Sequence, residues 1–224
     1  MTMFNFRDVF AYSSLILDGL AVSIVLCVIA GTLGFLLAIL CAALKTTGPR
    51  PLSWIVTAYV ETIRNTPFIV QLFFIYFGVG SLSWRMSPVF AATAALTLNV
   101  AAYFTEIIRG GLADGSRGVR EAALSQGMTI VQTYLRIVLP PAIAKVDKTL
   151  VGQFVLVFLG SAVISQISVE DLTSAAQFIQ TRTFRAFETY IVVTVLYMAT
   201  GLVFSLLYAW LRPALFPWVR DSRQ

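Results

Sequence analysis

Four polar side chains interrupt the apolar stretches of this sequence and could hydrogen-bond a small polar molecule. They are Gln71, Asn99, Gln153 and Ser161, and each stands in a largely apolar segment. An amide or hydroxyl group in such surroundings needs a partner, which is either another helix or the contents of a polar cavity. Both interpretations are open for Asn99 and for the small, polar helix face that contains Ser161. We treat all four residues as candidates for lining the path of a polar substrate.

A charged pair precedes a proline in the second apolar stretch. Glu61 and Arg64 are three residues apart and share one helix face, so they could neutralise each other near lipid. We favour a structural ion pair over direct contact with a substrate. Pro67 removes one helical hydrogen bond and predicts a bend near Asn65 and Thr66, whose polar side chains can satisfy the freed groups.

The residues needed for metal, nucleotide or covalent chemistry are missing from the sequence. It contains no histidine, and its two cysteines, Cys27 and Cys41, lie in one apolar stretch and cannot form a four-ligand metal site. No Gly-x4-Gly-Lys-Ser/Thr phosphate loop is present. No nucleophile stands beside a base. We therefore expect no catalytic residue, metal or cofactor in this chain.

The composition is that of a membrane protein. Of 224 residues, 58% are hydrophobic and 12% are charged, and the mean hydropathy is +0.83. Soluble proteins have about a quarter charged residues. A helix that crosses a bilayer needs about 20 mainly apolar residues, and such windows occur at 17–44, 54–79, 89–108, 150–168 and 190–211. The sequence predicts one all-α domain over 1–224 with five transmembrane helices.

Positive charge is distributed unequally between the two predicted sides of the membrane. One side has Lys45, Arg50, Arg109, Arg117, Arg120, Arg136, Lys145, Lys148, Arg212, Arg220 and Arg223. The other side has Arg7, Arg85, Arg182 and Arg185. The positive-inside rule then predicts an external N terminus and a cytoplasmic C terminus. Because the charge follows topology, we expect no nucleic-acid partner.

The long polar connection at 109–140 is predicted to form a helical hairpin on the cytoplasmic side. Two short helices flank Gly127, which permits a tight turn between them. Pro140 is expected to end the second helix, and the next membrane helix is expected to begin after Lys148. The hairpin would form a compact projection from the membrane domain.

The pattern Glu-Ala-Ala-x3-Gly-x9-Ile-x-Leu-Pro runs from Glu121 to Pro140. It resembles the cytoplasmic signature of bacterial ABC importer permeases, in which the short helix around Glu-Ala-Ala fits a groove on the nucleotide-binding subunit. The resemblance implies that an ABC ATPase dimer binds ATP and Mg outside this chain. The implied docking residues are Arg120, Glu121, Ala122, Ala123, Gln126, Gly127 and Met128.

Two further motifs resemble the polar amino acid permease subfamily. They are Glu-x2-Arg-Asn-Thr-Pro-x3-Gln-Leu at 61–72 and Ala-Tyr-x2-Glu-Ile-x-Arg-Gly-Gly at 102–111. The resemblance implies a type I ABC importer permease fold in the bacterial inner membrane. It also implies a periplasmic binding protein that delivers a polar amino acid or a related compound, such as an opine.

The sequence departs from that subfamily in the fourth span. The usual Lys-Asp-Thr-Ser-Leu aligns with Leu-Gly-Ser-Ala-Val at 159–163, which removes both charges. We therefore expect a second permease subunit, related to this chain but different from it, that carries more of the substrate recognition.

An ion-coupled carrier or a channel subunit is the alternative function. Such carriers often contain two related halves, and we find no internal repeat in this sequence. Glu61 and Glu106 could relay protons in a carrier. Dependence of uptake on ATP hydrolysis, as opposed to a proton gradient, distinguishes the two functions.

Overall fold

The computed structural model describes residues 5–79, 86–112 and 116–219, and every regular element in these ranges is helical. The elements are α1 (Arg7–Phe10), α2 (Ser13–Thr47), α3 (Arg50–Arg64), α4 (Phe68–Phe73), α5 (Pro88–Leu112), α6 (Ser116–Ser125), α7 (Ile130–Gln132), α8 (Leu139–Gly160), α9 (Leu172–Thr183) and α10 (Ala186–Leu215). The predicted all-α class is confirmed. Arg85, Arg220 and Arg223 of the topology prediction lie outside the described residues.

Four helical segments in the described part of the chain are long and apolar enough to cross a membrane. They are Ser13–Thr47, Pro88–Leu112, Ile130–Ile167 and Ala186–Leu215. The remaining predicted span, at 54–79, is divided between α3 and a shorter apolar helix, Phe68–Val79. The last six residues of that helix, Phe74–Val79, are π-helical. The five predicted spans therefore correspond to four long helices and one broken helix.

Three spans are longer than their apolar windows. The window at 17–44 becomes Ser13–Thr47, and the windows at 89–108 and 190–211 extend to Pro88–Leu112 and Ala186–Leu215. A helix does not end where its hydropathy falls. Its backbone hydrogen bonds continue through polar turns until a helix-breaking residue ends it. Gly48 and Pro49 supply that breaker after α2.

The chain does not break at Pro140 as the sequence predicted. From Ile130 it continues through a π-helical turn, Thr133–Val138, into α8 and then into a 3-10 segment, Ser161–Ile167. We call Ile130–Ile167 the coupling rod. The predicted restart after Lys148 was wrong because Pro140 lies in the first turn of α8, where proline is tolerated.

Small residues let α2 and α5 pack closely at the centre of the fold. Gly34, Ala38 and Ala42 of α2 are buried, as are several alanines of α5. A Cβ added to Gly34 would lie 2.7 Å from Cγ1 of Val100, which is closer than non-bonded carbons approach. The contact therefore depends on the missing side chain, as in other small-residue interfaces of membrane helices.

An ion pair joins α8 to α10, whose surface is otherwise largely exposed. The Nε of Arg212 donates to Oδ2 of Asp147 at 2.5 Å, and the Asp147 side chain is only 4% exposed. In the most apolar 18-residue stretch of α10, only 11% is buried against the rest of the chain. The pair neutralises a buried carboxylate and holds a helix whose other faces are apolar enough for lipid.

Asp171 is a second buried carboxyl, and it lies outside the membrane-spanning helices. It caps α9 by accepting a hydrogen bond from the Ser174 N–H at 2.9 Å. A Cβ on Gly19 would lie 2.7 Å from the Asp171 carbonyl oxygen, so α2 passes directly over this cap. Burial raises the pKa of Asp171 to about 6, although the hydrogen bond from Ser174 acts in the opposite direction.

Asp171→Asn should make stability less dependent on pH while keeping the helix cap. When folding raises the pKa of a carboxyl group, the free energy of unfolding falls as the pH rises from the unfolded-state pKa to the folded-state pKa. For Asp171 these pKa values are 3.8 and about 6, and the resulting loss in the free energy of unfolding is about 3 kcal/mol. Asparagine caps as well as aspartate. We expect a higher unfolding temperature than the parent at pH 8 and no gain at pH 4.

The matched control for this thermal unfolding measurement is Glu170→Gln, because Glu170 is adjacent in sequence but exposed. It should leave the unfolding temperature unchanged at both pH values. A gain for Asp171→Asn that is equal at pH 4 and pH 8 would contradict a penalty from the buried charge.

Candidate transport site and coupling surface

The second span breaks at Asn65–Pro67, where the sequence predicted a bend. Helix α3 ends at Arg64, and Pro67 has an extended conformation with ψ 138° before α4 begins. Nδ2 of Asn65 donates to the Glu61 carbonyl at 2.8 Å, and the Thr66 hydroxyl donates to the Thr62 carbonyl at 2.8 Å. The Thr66 hydroxyl thus satisfies a carbonyl group near the end of the helix, whereas the Asn65 amide adds a second donor to the Glu61 carbonyl, which already accepts from the Asn65 N–H at 3.0 Å.

Gln71 connects this break to α5. Its Nε2 lies 2.7 Å from the Ile63 carbonyl oxygen and 3.0 Å from the Thr66 carbonyl oxygen. Its Oε1 accepts a hydrogen bond from Nδ2 of Asn99 at 3.0 Å. Gln71 and Asn99 are both 8% exposed. Two of the predicted substrate-path residues therefore form one buried amide pair, in which Gln71 fixes the orientation of Asn99.

A cavity of about 380 Å³ lies beside this pair, between the second span, α5 and the coupling rod. We call it the amide cavity. Its polar lining comes from Thr66, Asn99, Tyr103 and Gln153, and its remaining walls are mainly apolar. A small number of polar groups in a mostly apolar cavity of this size is typical of small-molecule sites. The structure thus brings Asn99 and Gln153 together, with Gln71 directly behind Asn99.

Ser161 does not line the amide cavity. It is fully buried, and its hydroxyl donates to the Phe158 carbonyl at 2.7 Å. Ser161 is the first residue of the 3-10 segment, and Val163 of the same segment does line the cavity. Gly160 lines the cavity instead.

The predicted ion pair between Glu61 and Arg64 is not formed among the described residues. Nδ2 of Asn65 donates to Oε2 of Glu61 at 3.2 Å. The guanidinium carbon of Arg64 lies 5.7 Å from the ring centroid of Tyr103, a cation–π contact across to α5. Both charged side chains are exposed, so neither requires neutralisation by the other. Arg64 lies instead beside a residue that lines the amide cavity.

Sequence reasoning missed an ion-pair cluster at the ends of α2 and α5. Glu106 accepts from Lys45 Nζ at 2.6 Å and from Arg109 Nη2 at 2.8 Å. The three-residue spacing of Glu106 and Arg109 indicates their contact. No local pattern links either of them to Lys45, which is 61 positions away from Glu106.

The predicted hairpin is present as α6, a turn at Gly127, and the start of the coupling rod. Gly127 has φ +83°, a left-handed conformation that favours glycine. The Met128 N–H donates to the Ala123 carbonyl at 3.3 Å and closes the end of α6. Thr129 and Gln132 then form a reciprocal capping box that starts α7. We call α6 with this turn the coupling knob.

The predicted docking residues do not all face outward from the coupling knob. Arg120, Glu121, Ala122, Gln126 and Gly127 are exposed. Ala123 is 7% exposed, and Met128 is half-buried. Ala123 therefore packs α6 onto its own chain and leaves Ala122 as the exposed small residue. The sequence could not distinguish these two alanines, because they are adjacent and of the same type.

A broken membrane helix beside a polar cavity and an exposed helical knob define a transport subunit. Residues 34–217 match the family model for "Binding-protein-dependent transport system inner membrane component". The chain belongs to this family. It is a multi-pass inner-membrane permease subunit of an ABC importer, and the ATPase and the substrate-binding protein of such an importer are separate proteins.

Individual relatives resemble the chain over nearly its full length. The probable glutamine ABC transporter permease protein GlnM of Bacillus subtilis (strain 168) is 34% identical, covering 90% of this chain and 94% of the relative. The nopaline transport system permease protein NocM of Agrobacterium fabrum is 32% identical, with 88% of each chain covered.

A solved structure confirms the type I importer permease fold. The crystal structure of an amino acid ABC transporter with histidines contains a chain that is 34% identical, with a TM-score of 0.83. The match covers 96% of this chain and 100% of that one. None of these matches supports the alternative of an ion-coupled carrier or channel.

Proposed function

We propose that this permease carries a polar amino acid, or a compound derived from one, through the amide cavity. The observation that carries the proposal is the hydrogen bond between Gln71 and Asn99, which holds Asn99 against a cavity that Gln153 also lines. The relatives whose names specify glutamine and nopaline transport support the same substrate class. Each of those molecules carries amide or carboxylate groups beside an amino group.

The free hydrogen-bonding groups of the cavity suit such a substrate. Within the described residues, Oδ1 of Asn99 and the amide of Gln153 have no hydrogen-bond partner. Oδ1 accepts from an ammonium group, and the Gln153 amide both donates and accepts. Arg64 contacts the ring of Tyr103, which lines the cavity, and its guanidinium could bind a carboxylate. The surrounding apolar walls strengthen each of these bonds by excluding water.

The coupling rod supplies the proposed mechanical link to ATP hydrolysis. It begins directly after the coupling knob, and it carries Gln153 and Gly160 in the cavity wall. An ATPase dimer that holds ATP and Mg would move the knob, and the rod would transmit this movement to the wall as alternating access. In this mechanism Arg120, Glu121, Ala122, Gln126 and Gly127 contact the ATPase, while Ala123 and Met128 support the knob from within.

The proposed orientation has the N terminus outside and the C terminus in the cytoplasm, with the whole chain 1–224 acting as one membrane domain. The coupling knob, Lys45 and Arg109 would then lie on the cytoplasmic side, where the ATPase dimer binds. The periplasmic binding protein would deliver substrate on the opposite side.

The second permease subunit is proposed to be a different chain. The uncharged segment 159–163 supports this, because it replaces the charged pair that the subfamily usually has there. The expected native mass of the purified transporter corresponds to this chain, one related permease and two ATPase subunits. A mass that fits two copies of this chain would contradict the heterodimer.

Gln153→Leu should slow uptake without affecting folding, because the Gln153 amide has no protein partner to lose among the described residues. Loss of one or two hydrogen bonds to a polar substrate corresponds to a decrease of about three- to tenfold. The measurement is the initial rate of ATP-driven uptake into proteoliposomes that contain the complete transporter, for each radiolabelled amino acid or opine that the parent carries.

Gln166→Leu is the matched control, because Gln166 lies on the same rod but is exposed and does not line the amide cavity. It should retain the parental rate. Equal loss in the two variants would contradict a substrate contact for Gln153.

Gly127→Val should separate ATP hydrolysis from transport. Valine is strongly disfavoured at φ +83°, so the turn must shift and displace the coupling knob at a cost of about 1–3 kcal/mol. We expect normal membrane insertion, ATP hydrolysis that continues, and at least about tenfold less substrate carried per ATP. Uptake and hydrolysis are measured on the same proteoliposomes.

Gly127→Asn controls for the loss of glycine itself, because asparagine tolerates the left-handed conformation. It should retain most of the transport. If the valine variant also transports normally, the turn has no part in coupling, whatever the substrate of the amide cavity.

A further inference from the structure

A second cavity, of about 440 Å³, lies where the coupling knob meets the ends of two membrane helices. We call it the basic cavity. Lys45 from the last turns of α2 and Arg109 and Leu112 from the last turn of α5 form one side of it. Arg120 of α6 and Thr133 of the coupling rod form the other. Of the residues that line this cavity, the proposed transport mechanism uses only Arg120, as a contact to the ATPase.

The described side chains around the basic cavity carry an excess of positive charge. Lys45 and Arg109 share the single carboxylate of Glu106, at 2.6 Å and 2.8 Å. Arg120 forms no salt bridge or hydrogen bond with any residue that the structure describes. One carboxylate therefore faces three cations, and the remaining charge favours an anion in the cavity.

An unpaired buried hydroxyl also points to a ligand. Thr133 lines the basic cavity and is 1% exposed, yet its Oγ1 has no hydrogen-bond partner in the described part of the chain. A buried hydroxyl without a partner costs about 1–3 kcal/mol, so such groups normally bind something. A threonine hydroxyl can donate to an anionic oxygen.

We propose that the basic cavity binds the phosphate headgroup of an anionic phospholipid. Two of its cations, Lys45 and Arg109, lie in the last turns of membrane-spanning helices, which is the depth of lipid headgroups, and Arg120 reaches the cavity from α6. Basic pockets between membrane helices recognise anionic lipids. Apolar side chains, among them Leu112 and Leu124, also line the cavity and can contact the start of an acyl chain. A bound lipid would join the coupling knob to α2 and α5. The proposed orientation determines only the leaflet from which the lipid comes.

The test measures lipid retention by the purified transporter. The complex is reconstituted into nanodiscs of phosphatidylcholine with one-third phosphatidylglycerol, and the phosphatidylglycerol that remains after detergent extraction is counted by native mass spectrometry. Arg120→Gln should lower the retention by about fivefold, as expected for one cation at a lipid surface. Thr133→Val, which keeps the side-chain shape, should lower it by at least about threefold.

Arg136→Gln is the matched control, because Arg136 is an exposed cation of the same rod that does not line the basic cavity. It should retain as much phosphatidylglycerol as the parent. Equal loss from Arg136→Gln and Arg120→Gln, or no loss from Arg120→Gln and Thr133→Val, would overturn the proposal, because the retention would then reflect only general surface charge.

Two further measurements identify the source of the anion. In pure phosphatidylcholine nanodiscs, added glycerol phosphate that raises the unfolding temperature of the parent but not of Thr133→Val would assign the same phosphate site to a soluble anion. Retention is also measured after the ATPase is stripped away. Lipid that binds only to the stripped permease would overturn the proposal, because an acidic group of the ATPase would then occupy the cavity. None of these results depends on the transported substrate.

Discussion

A broken helix inside a membrane is stable only when the carbonyl groups freed at the break receive hydrogen bonds, and Gln71 supplies them here. Its amide reaches the carbonyls of Ile63 and Thr66 and also accepts from Asn99. One side chain thus closes the break and orients an amide at the wall of the adjoining cavity. If these hydrogen bonds were lost, carbonyl groups inside the membrane domain would lose their donors and Asn99 would lose its orientation at the cavity wall.

The coupling rod connects the amide cavity directly to the coupling knob. Continuous helix from Ile130 to Ile167 joins the turn at Gly127 to the cavity wall at Gln153. The interior deviates from regular α-helix at Thr133–Val138, where the π turn lies against the basic cavity. The rod therefore joins the proposed substrate cavity to the coupling knob, where the ATPase is proposed to bind.

Two buried ion pairs connect helices of this chain at defined positions. Glu106 joins the ends of α2 and α5 through Lys45, and Asp147 joins α8 to α10 through Arg212. Both carboxylates are largely buried, so leaving either one unpaired would be costly. Arg120, in contrast, has a position beside a cavity and no carboxylate partner among the described residues, which is why it marks a place for a ligand.

The sequence by itself determined the all-α membrane class, the broken second span and the turn at Gly127, because hydropathy, proline and glycine act on the local backbone. It also identified the amides of Gln71, Asn99 and Gln153, since a polar group in an apolar helix stands out without knowledge of its neighbours. Only the tertiary structure decided which groups meet. Contacts such as Asn99 with Gln71 join residues that are far apart in the chain, and the continuity of the rod through Pro140 depends on helix register. The exclusion of Ser161 from the cavity was also decided by the tertiary structure, because the residue types do not show which face of the helix meets the cavity and which face is buried against other helices.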